Sequence, residues 1–183
     1  HIPGYSTYLH PYDENHLIGI GMETEETVRR DYSGKVVSTS AVITGMKMAL
    51  FDVSDVYNPK QISQTVIGDS RTTSAVLENA KALLFSKEKN LIAIPVNNYS
   101  TNFEVENSES YEGTINAYKN NSSKRVGEGY LVYSINLDDG FKLKGKIVHD
   151  LKTTGRYSYT NNSYTKLLRG LYINNNLFTV SES

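Results

Sequence analysis

The chain has 183 residues, of which 38% are hydrophobic, and its 19 Lys and Arg residues balance 20 Asp and Glu residues. This length suffices for one domain with a buried core, and the scattered, balanced charge excludes the basic surface of a nucleic-acid-binding protein. The chain has no Cys, which excludes disulfides, thiolate nucleophiles and Cys-ligated metal sites.

The ends of the chain and its apolar runs bear on location. No apolar run approaches the roughly 18 residues that a membrane-spanning helix needs, so the sequence predicts no such helix. The first residues, HIPGYSTYLH, include neither an initiator Met nor the pattern of a secretory signal. We therefore expect the native N-terminus to lie upstream, and any membrane anchor to lie outside this sequence.

Short apolar runs, rich in Ile, Val, Leu, Phe and Tyr and bounded by turn-forming residues, are typical of β-strands. In chain order, the predicted strands cover residues 6–10, 15–22, 48–55, 60–69, 80–86, 89–96, 130–139, 141–150, 166–173 and 175–182. No long segment has a helical period, and at most one helical turn is predicted, near residues 74–79.

The predicted strands recur in the same order. NHLIGIGM (15–22), KNLIAIPV (89–96) and NNLFTVSE (175–182) each place a polar turn before a strand that begins with Leu. MALFDVSD (48–55) matches YLVYSINLDD (130–139), and KQISQTVIGD (60–69) matches FKLKGKIVHD (141–150). Such self-similarity indicates a repeat of four strands, with long polar loops at 23–45 and 97–129 between the second and third strands.

The last strand of the second repeat alternates between Phe141, Leu143 and Ile147 on one face and three Lys residues on the other. Apolar inner strands and a Lys-bearing outer strand suit a propeller blade, because neighbouring blades bury the inner strands and charge protects the open edge. We therefore predict an all-β fold, a β-propeller segment of about two and a half four-stranded antiparallel blades.

The segment forms a single predicted domain, with blade 1 at about 5–70, blade 2 at about 80–150 and a partial blade 3 at about 164–182. A propeller ring typically has about four to eight blades. We expect this chain to be the C-terminal part of a larger ring that is completed by missing blades of the same protein. The alternative is that it pairs with another copy.

Three segments carry a family resemblance: MKMALFDVSDVYNPKQISQTVIGDS, KALLFSKEKNLIAIPV and GLYINNNLFTVSES. Together they resemble a family of secreted bacterial β-propeller-domain proteins that are distantly related to WD-type repeats, over residues 8–181. The resemblance implies a propeller fold and a secreted or cell-surface location, and it carries no activity to transfer. It also implies His at position 80 and Ser at position 170, where this chain has Ala80 and Gly170.

The turn after the strand MALFDVSD offers one candidate site. Asp52, Ser54, Asp55 and Asn58 provide oxygen ligands of the kind that calcium prefers. The EF-hand pattern is absent, however, and Asp and Asn side chains commonly bond to the backbone of a turn that Pro then ends. We favour the turn over a weak ion site.

The segment HPYDENH offers a second candidate, since His10, Asp13 and His16 suit zinc or iron if they face one another across a hairpin. The alternative is an ordinary turn formed by Pro11, Asp13 and Asn15. Farther along the chain, Lys81 and Arg169 flank apolar strand residues, and they either face a channel or lie along the surface.

The long loops 23–45 and 97–129 are the most suggestive interaction feature, because Tyr gives rigid contact area and Asn and Ser give adaptable hydrogen bonds. We expect a non-enzymatic, exported module that binds a protein or glycan at the cell surface, without a cofactor. The competing hypothesis is a hydrolase or oxidoreductase with a metal-assisted site in the propeller channel, drawn from His10, Asp13, His16 or His149. A third possibility is a propeller that only spaces other domains.

Overall fold

The computed structural model describes residues 4–100, 126–147, 167–173 and 176–181. Its strands are β1 (Tyr5–Pro11), β2 (His16–Arg30), β3 (Val36–Asp52), β4 (Lys60–Ile67), β5 (Leu84–Ser86), β6 (Leu91–Ser100), β7 (Val126–Asn136), β8 (Gly140–Ile147), β9 (Leu167–Ile173) and β10 (Asn176–Ser181). Two single 3₁₀ turns, Ala75–Leu77 and Ala80–Ala82, precede β5. None of the helical turns in these ranges is long and apolar enough to cross a membrane.

The strands form two four-stranded sheets, β1-β2-β3-β4 and β5-β6-β7-β8, and a two-stranded hairpin, β9-β10. All pairings are antiparallel and join neighbours in sequence. Each four-stranded sheet is therefore a meander with the strand order of a propeller blade. This architecture confirms the predicted all-β fold, and we refer to the two sheets as the first and second blades.

The two blades pack face to face around one hydrophobic core. Alternate residues of a strand share a face, so the inner face of the first blade carries Ile18, Ile20, Met22, Met46, Met48, Leu50 and Ile67, all buried. The second blade contributes Ile92, Ile94, Val96, Leu131, Tyr133 and Ile135. Burial of these thirteen apolar side chains is the main force that holds the blades together.

The far face of the second blade is covered by the β9-β10 hairpin. Ala93 and Tyr130 are fully buried there, and Leu84, Val132 and Leu177 pack against them. The β8 strand alternates as predicted over residues 141–144, because Lys142 and Lys144 are exposed while Phe141 and Leu143 contact the main core. The prediction is wrong at the end of the strand, where a register shift between Val132 and Tyr133 reverses the alternation. Ile147 packs on the far face of the blade, and Lys146 is half-buried.

The segment predicted as the polar loop 23–45 is instead a two-stranded ribbon, so that prediction is wrong. The β2–β3 pairing continues outward from Thr24↔Ile43 to Arg30↔Val36, with a turn at the tip. We call residues 24–43 the β2–β3 ribbon. A shorter extension pairs Asn97 with Glu128 and Ser100 with Val126, and the rest of the predicted loop 97–129 lies outside the described residues.

Candidate functional site

The β1–β2 turn holds a small polar cluster between the two blades. Asp13 Oδ1 lies 2.7 Å from His16 Nδ1, and Lys87 Nζ, from the second blade, donates to Asp13 Oδ2 at 2.9 Å. The Lys87 hydrogen bond, followed by those from His16 and Asn15, holds the pKa of Asp13 well below its usual range. Asp13 is therefore an anion that links the blades.

His10 lies apart from this pair. Its Nδ1 is 2.9 Å from the Tyr8 hydroxyl, and its ring meets the Phe85 ring edge-on at a centroid distance of 5.1 Å. Burial lowers the pKa of His10. Within the ranges that the structure describes, no group of three or more His, Asp or Glu side chains is placed to hold a metal ion.

The other predicted oxygen ligands bond within their own turn. Asp52 Oδ1 accepts from the Ser54 amide at 2.9 Å and from its hydroxyl at 2.6 Å. Asp55 accepts from the Tyr57 amide at 3.0 Å and from Asn58 Nδ2 at 2.8 Å. These bonds lower the pKa of both carboxyls. His149 lies outside the described residues.

A polar cavity of about 400 Å³ separates the 3₁₀ turns from the β9-β10 hairpin. Both Lys81 and Arg169 line it, together with Glu78, Asn79 and three apolar residues. No ion pair within the described chain involves either cation. The cavity therefore presents two positive charges, one carboxylate and one amide to a small polar ligand.

An apolar groove of about 460 Å³ lies on the outer face of the first blade, and sequence reasoning missed it. It is lined by Ser6, Leu9, Leu17, Phe51, Val53, Val56 and Pro59. The last three belong to the turn that carries Asp52 and Asp55, where the sequence pattern indicated oxygen ligands and gave no sign of an apolar surface. Leu9 remains 54% exposed in the groove.

The β2–β3 ribbon is the most prominent exposed feature. Its residues 25–43 are all exposed, and they include the β-branched side chains Val28, Val36, Val37, Val42 and Ile43. The tip is held by Asp31, whose Oδ1 accepts from the Ser33 amide and hydroxyl and from the Lys35 amide at 2.6–3.1 Å. Tyr32 at the tip is fully exposed.

A family model described as "Beta propeller domain" matches residues 1–183. Among curated proteins, the chain is 28% identical over 138 residues to the uncharacterized protein MJ1554 of Methanocaldococcus jannaschii, a match that covers 75% of this chain and 19% of that protein. It is 32% identical over 94 residues to an uncharacterized protein of Archaeoglobus fulgidus, covering 51% of this chain and 12% of the relative. No solved structure matches significantly.

These comparisons bear on the fold. Both relatives are archaeal and are described only as uncharacterized, so they transfer no activity, ligand or location. The matched region amounts to less than a fifth of either relative.

Proposed function

Because the chain belongs to the Beta propeller domain family, we propose that it is a non-enzymatic binding or scaffold module that takes a protein or glycan through its extended β2–β3 and β6–β7 segments. The β2–β3 ribbon carries the proposal. An isolated two-stranded hairpin is only marginally stable in water, and this one exposes five β-branched apolar side chains. A partner that covers the ribbon would remove that surface from water.

The β6–β7 segment supports the same function. Its paired part extends beyond the buried strand positions 92–96, just as the ribbon extends beyond Met22 in the first blade. The second and third strands of each blade therefore both extend beyond the buried part of the sheet, at the same end of the blade. Loops carried on a rigid scaffold are where binding residues concentrate, which favours recognition at this edge of the propeller.

Two further parts of the proposal concern the whole protein. We assign the chain to an exported, cell-surface protein on its resemblance to secreted propeller proteins. We also assign the apolar groove to a neighbouring blade that completes the ring, since each blade of a propeller is covered on both faces. The groove residues Leu9, Leu17 and Phe51 are suited to such a contact.

The competing hydrolase or oxidoreductase gains no comparable support. Within the described residues, Asp13 and His16 form a pair and His10 bonds to Tyr8, so the three do not share a ligand sphere. A fold alone does not establish function, which must be argued from sites. The exposed apolar surface of the ribbon therefore supports binding more strongly than these separate residues support catalysis.

Deletion of the two segments tests this function. Residues 24–43 are replaced by Asn-Gly in one variant, and residues 98–128 are replaced by a short Gly-Ser linker in another. Binding to a printed glycan array and to a displayed peptide library is then measured. We expect at least one deletion to abolish capture, while a control with Lys142 and Lys144 changed to Ala keeps it. Capture that survives both deletions would contradict the proposal.

A further inference from the structure

Among the strands that the structure describes, none lies beside the outer edge of β2, the edge opposite β3, along the ribbon. β1 occupies that edge only between Pro11↔Leu17 and Tyr5↔Met22. An open edge presents unpaired N–H and C=O groups that favour pairing with another strand. Natural edges are usually protected by charged side chains, Pro, a bulge or a covering element, and the charges on this edge, Glu26 and Arg30, are of opposite sign.

The alternation of the backbone shows which residues face outward. The Asp31 amide donates to the Lys35 carbonyl at 2.9 Å, so the backbone at Asp31 points toward the β3 side. Because N–H and C=O groups alternate in direction along a strand, those of Glu26, Val28 and Arg30 point away from β3. The Thr24 amide agrees, since it bonds to Glu23 Oε1 at 3.0 Å.

Two opposite charges on this edge, those of Glu26 and Arg30, lie at equal distances along the strand from Val28. Glu26 and Arg30 lie two residues before and two residues after Val28, so all three side chains share one face of the ribbon. If two such strands meet antiparallel about a twofold axis at Val28, each Glu26 lies opposite Arg30 of the other strand. On the other face Glu25 lies opposite Asp31, just outside the paired residues, and the Asp31 carboxylate is held in its own turn by the Ser33 and Lys35 amides. All three residues are exposed. Arg30 Nη1 donates to the Gly34 carbonyl at 3.0 Å, and its other guanidinium donors remain to face a carboxylate.

We propose that residues 26–30 of β2 pair antiparallel with the same residues of a second copy of this chain, about a twofold axis at Val28. The outward-facing residues form three hydrogen-bonded pairs, Val28 with Val28 and two of Glu26 with Arg30, which extends the ribbon into a four-stranded arm. Opposite-charge pairs directly across strands stabilise pairing, and like charges oppose it. The inference rests on the proposed function, because it names the partner of one binding segment.

The outer edge of β3 is the competing surface. By the pairing Glu26↔Ala41, Ala41 faces away from β2 just as Glu26 faces away from β3. That edge carries no charge between residues 36 and 44. It therefore has no complementarity that would select a second copy in one register, and the experiment separates the two edges.

Sedimentation equilibrium of the 183-residue chain at micromolar concentration tests the inference. Wild type is expected to dimerise. Val28→Pro removes an outward N–H that the ribbon itself does not use, and it should yield monomer. The matched control Ala41→Pro on the β3 edge should remain dimeric. Unchanged thermal melting of both variants shows that the blades are intact.

Charge reversal tests the register. Glu26→Lys and Arg30→Glu should each raise the dimer dissociation constant about ten-fold or more, because two attractive pairs become repulsive. An equimolar mixture of the two variants, and the double variant E26K/R30E, should regain dimers. A monomeric wild type, dissociation by Ala41→Pro in place of Val28→Pro, or charge variants without effect would each overturn the inference. Each of these results would leave the proposed function standing, because that function is tested by ligand capture and not by dimerisation.

Discussion

At the scale of the residue, Gly170 and Tyr130 determine how the β9-β10 hairpin meets the second blade. Tyr130 is fully buried, and its hydroxyl donates to the Ala82 carbonyl at 3.3 Å. A Cβ added at Gly170 would lie 2.5 Å from the Tyr130 hydroxyl oxygen and 2.6 Å from Cζ. The Ser that the family resemblance implies at position 170 therefore has no room beside Tyr130.

Gly170→Ala should destabilise the chain. Overpacking of a filled core typically costs about 1–3 kcal/mol, and here the nearest atoms belong to a buried ring. Gly145→Ala is the matched control, since a Cβ there would meet nothing within 4 Å. Urea unfolding measures both variants. Equal unfolding free energies would show that the hairpin does not hold Tyr130 in this position.

His10 should contribute to acid sensitivity. Burial lowers its pKa in the folded chain below the ordinary value of 6.5, so the unfolded chain binds the proton more readily. The contribution of His10 to the unfolding free energy should therefore be fully present above about pH 6.5. It should be lost as the pH falls from about 6.5 toward the lower pKa of the folded state. Titration of the His10 imidazole by NMR checks the direction, and His10→Gln should flatten this part of the stability profile. A folded pKa at or above 6.5 would contradict the expectation.

At the scale of the element, the sequence predicts the buried strands well and the ribbon poorly. Strands 15–22 and 89–96 appear in the sequence as apolar runs because their side chains are buried in the main core. The ribbon has no buried face, so its Glu, Thr and Ser residues resemble a loop. Its strand character comes from the pairing that continues beyond Met22↔Met46 and from the Asp31 turn. Neither is visible as hydrophobic periodicity.

The candidate metal site shows a similar limit. The spacing of His10, Asp13 and His16 suggested a cluster across a hairpin. However, His10 pairs with Ile18 and faces the core, where its ring meets Phe85. Asp13 lies in the turn and bonds to Lys87 of the other blade. Spacing alone contains neither the face on which His10 lies nor the contact between blades.

The Asp31 side chain should hold the ribbon in register. Asp31→Ala removes the acceptor for the Ser33 amide, the Ser33 hydroxyl and the Lys35 amide, all of which lie outside the blade core. We expect hydrogen exchange to speed up at ribbon amides such as Thr27 and Thr39, while the melting temperature of the whole chain stays the same. Glu25→Ala, in the same ribbon but outside the turn, is the control. Unchanged exchange in Asp31→Ala would show that strand pairing alone holds the tip.

At the scale of the whole molecule, the two blades differ in how their outer faces are covered. The second blade has the main core on one side and the β9-β10 hairpin on the other. The first blade shares the main core, but the described residues leave the apolar groove open on its other face. This difference is the basis of our proposal that an adjoining blade covers the groove.

Leu9→Lys distinguishes an open groove from one that a blade covers. In the 183-residue chain Leu9 is 54% exposed, so the substitution should change the unfolding free energy by no more than about 0.5 kcal/mol. In a longer protein that supplies the adjoining blade, the same Lys would be buried without a partner and should destabilise by several-fold more. Leu137→Lys, exposed in the turn between β7 and β8 and away from the groove, should be neutral in both. If Leu9→Lys is equally harmless in the longer protein, the groove does not receive a blade, and the ring closes through another surface or does not close.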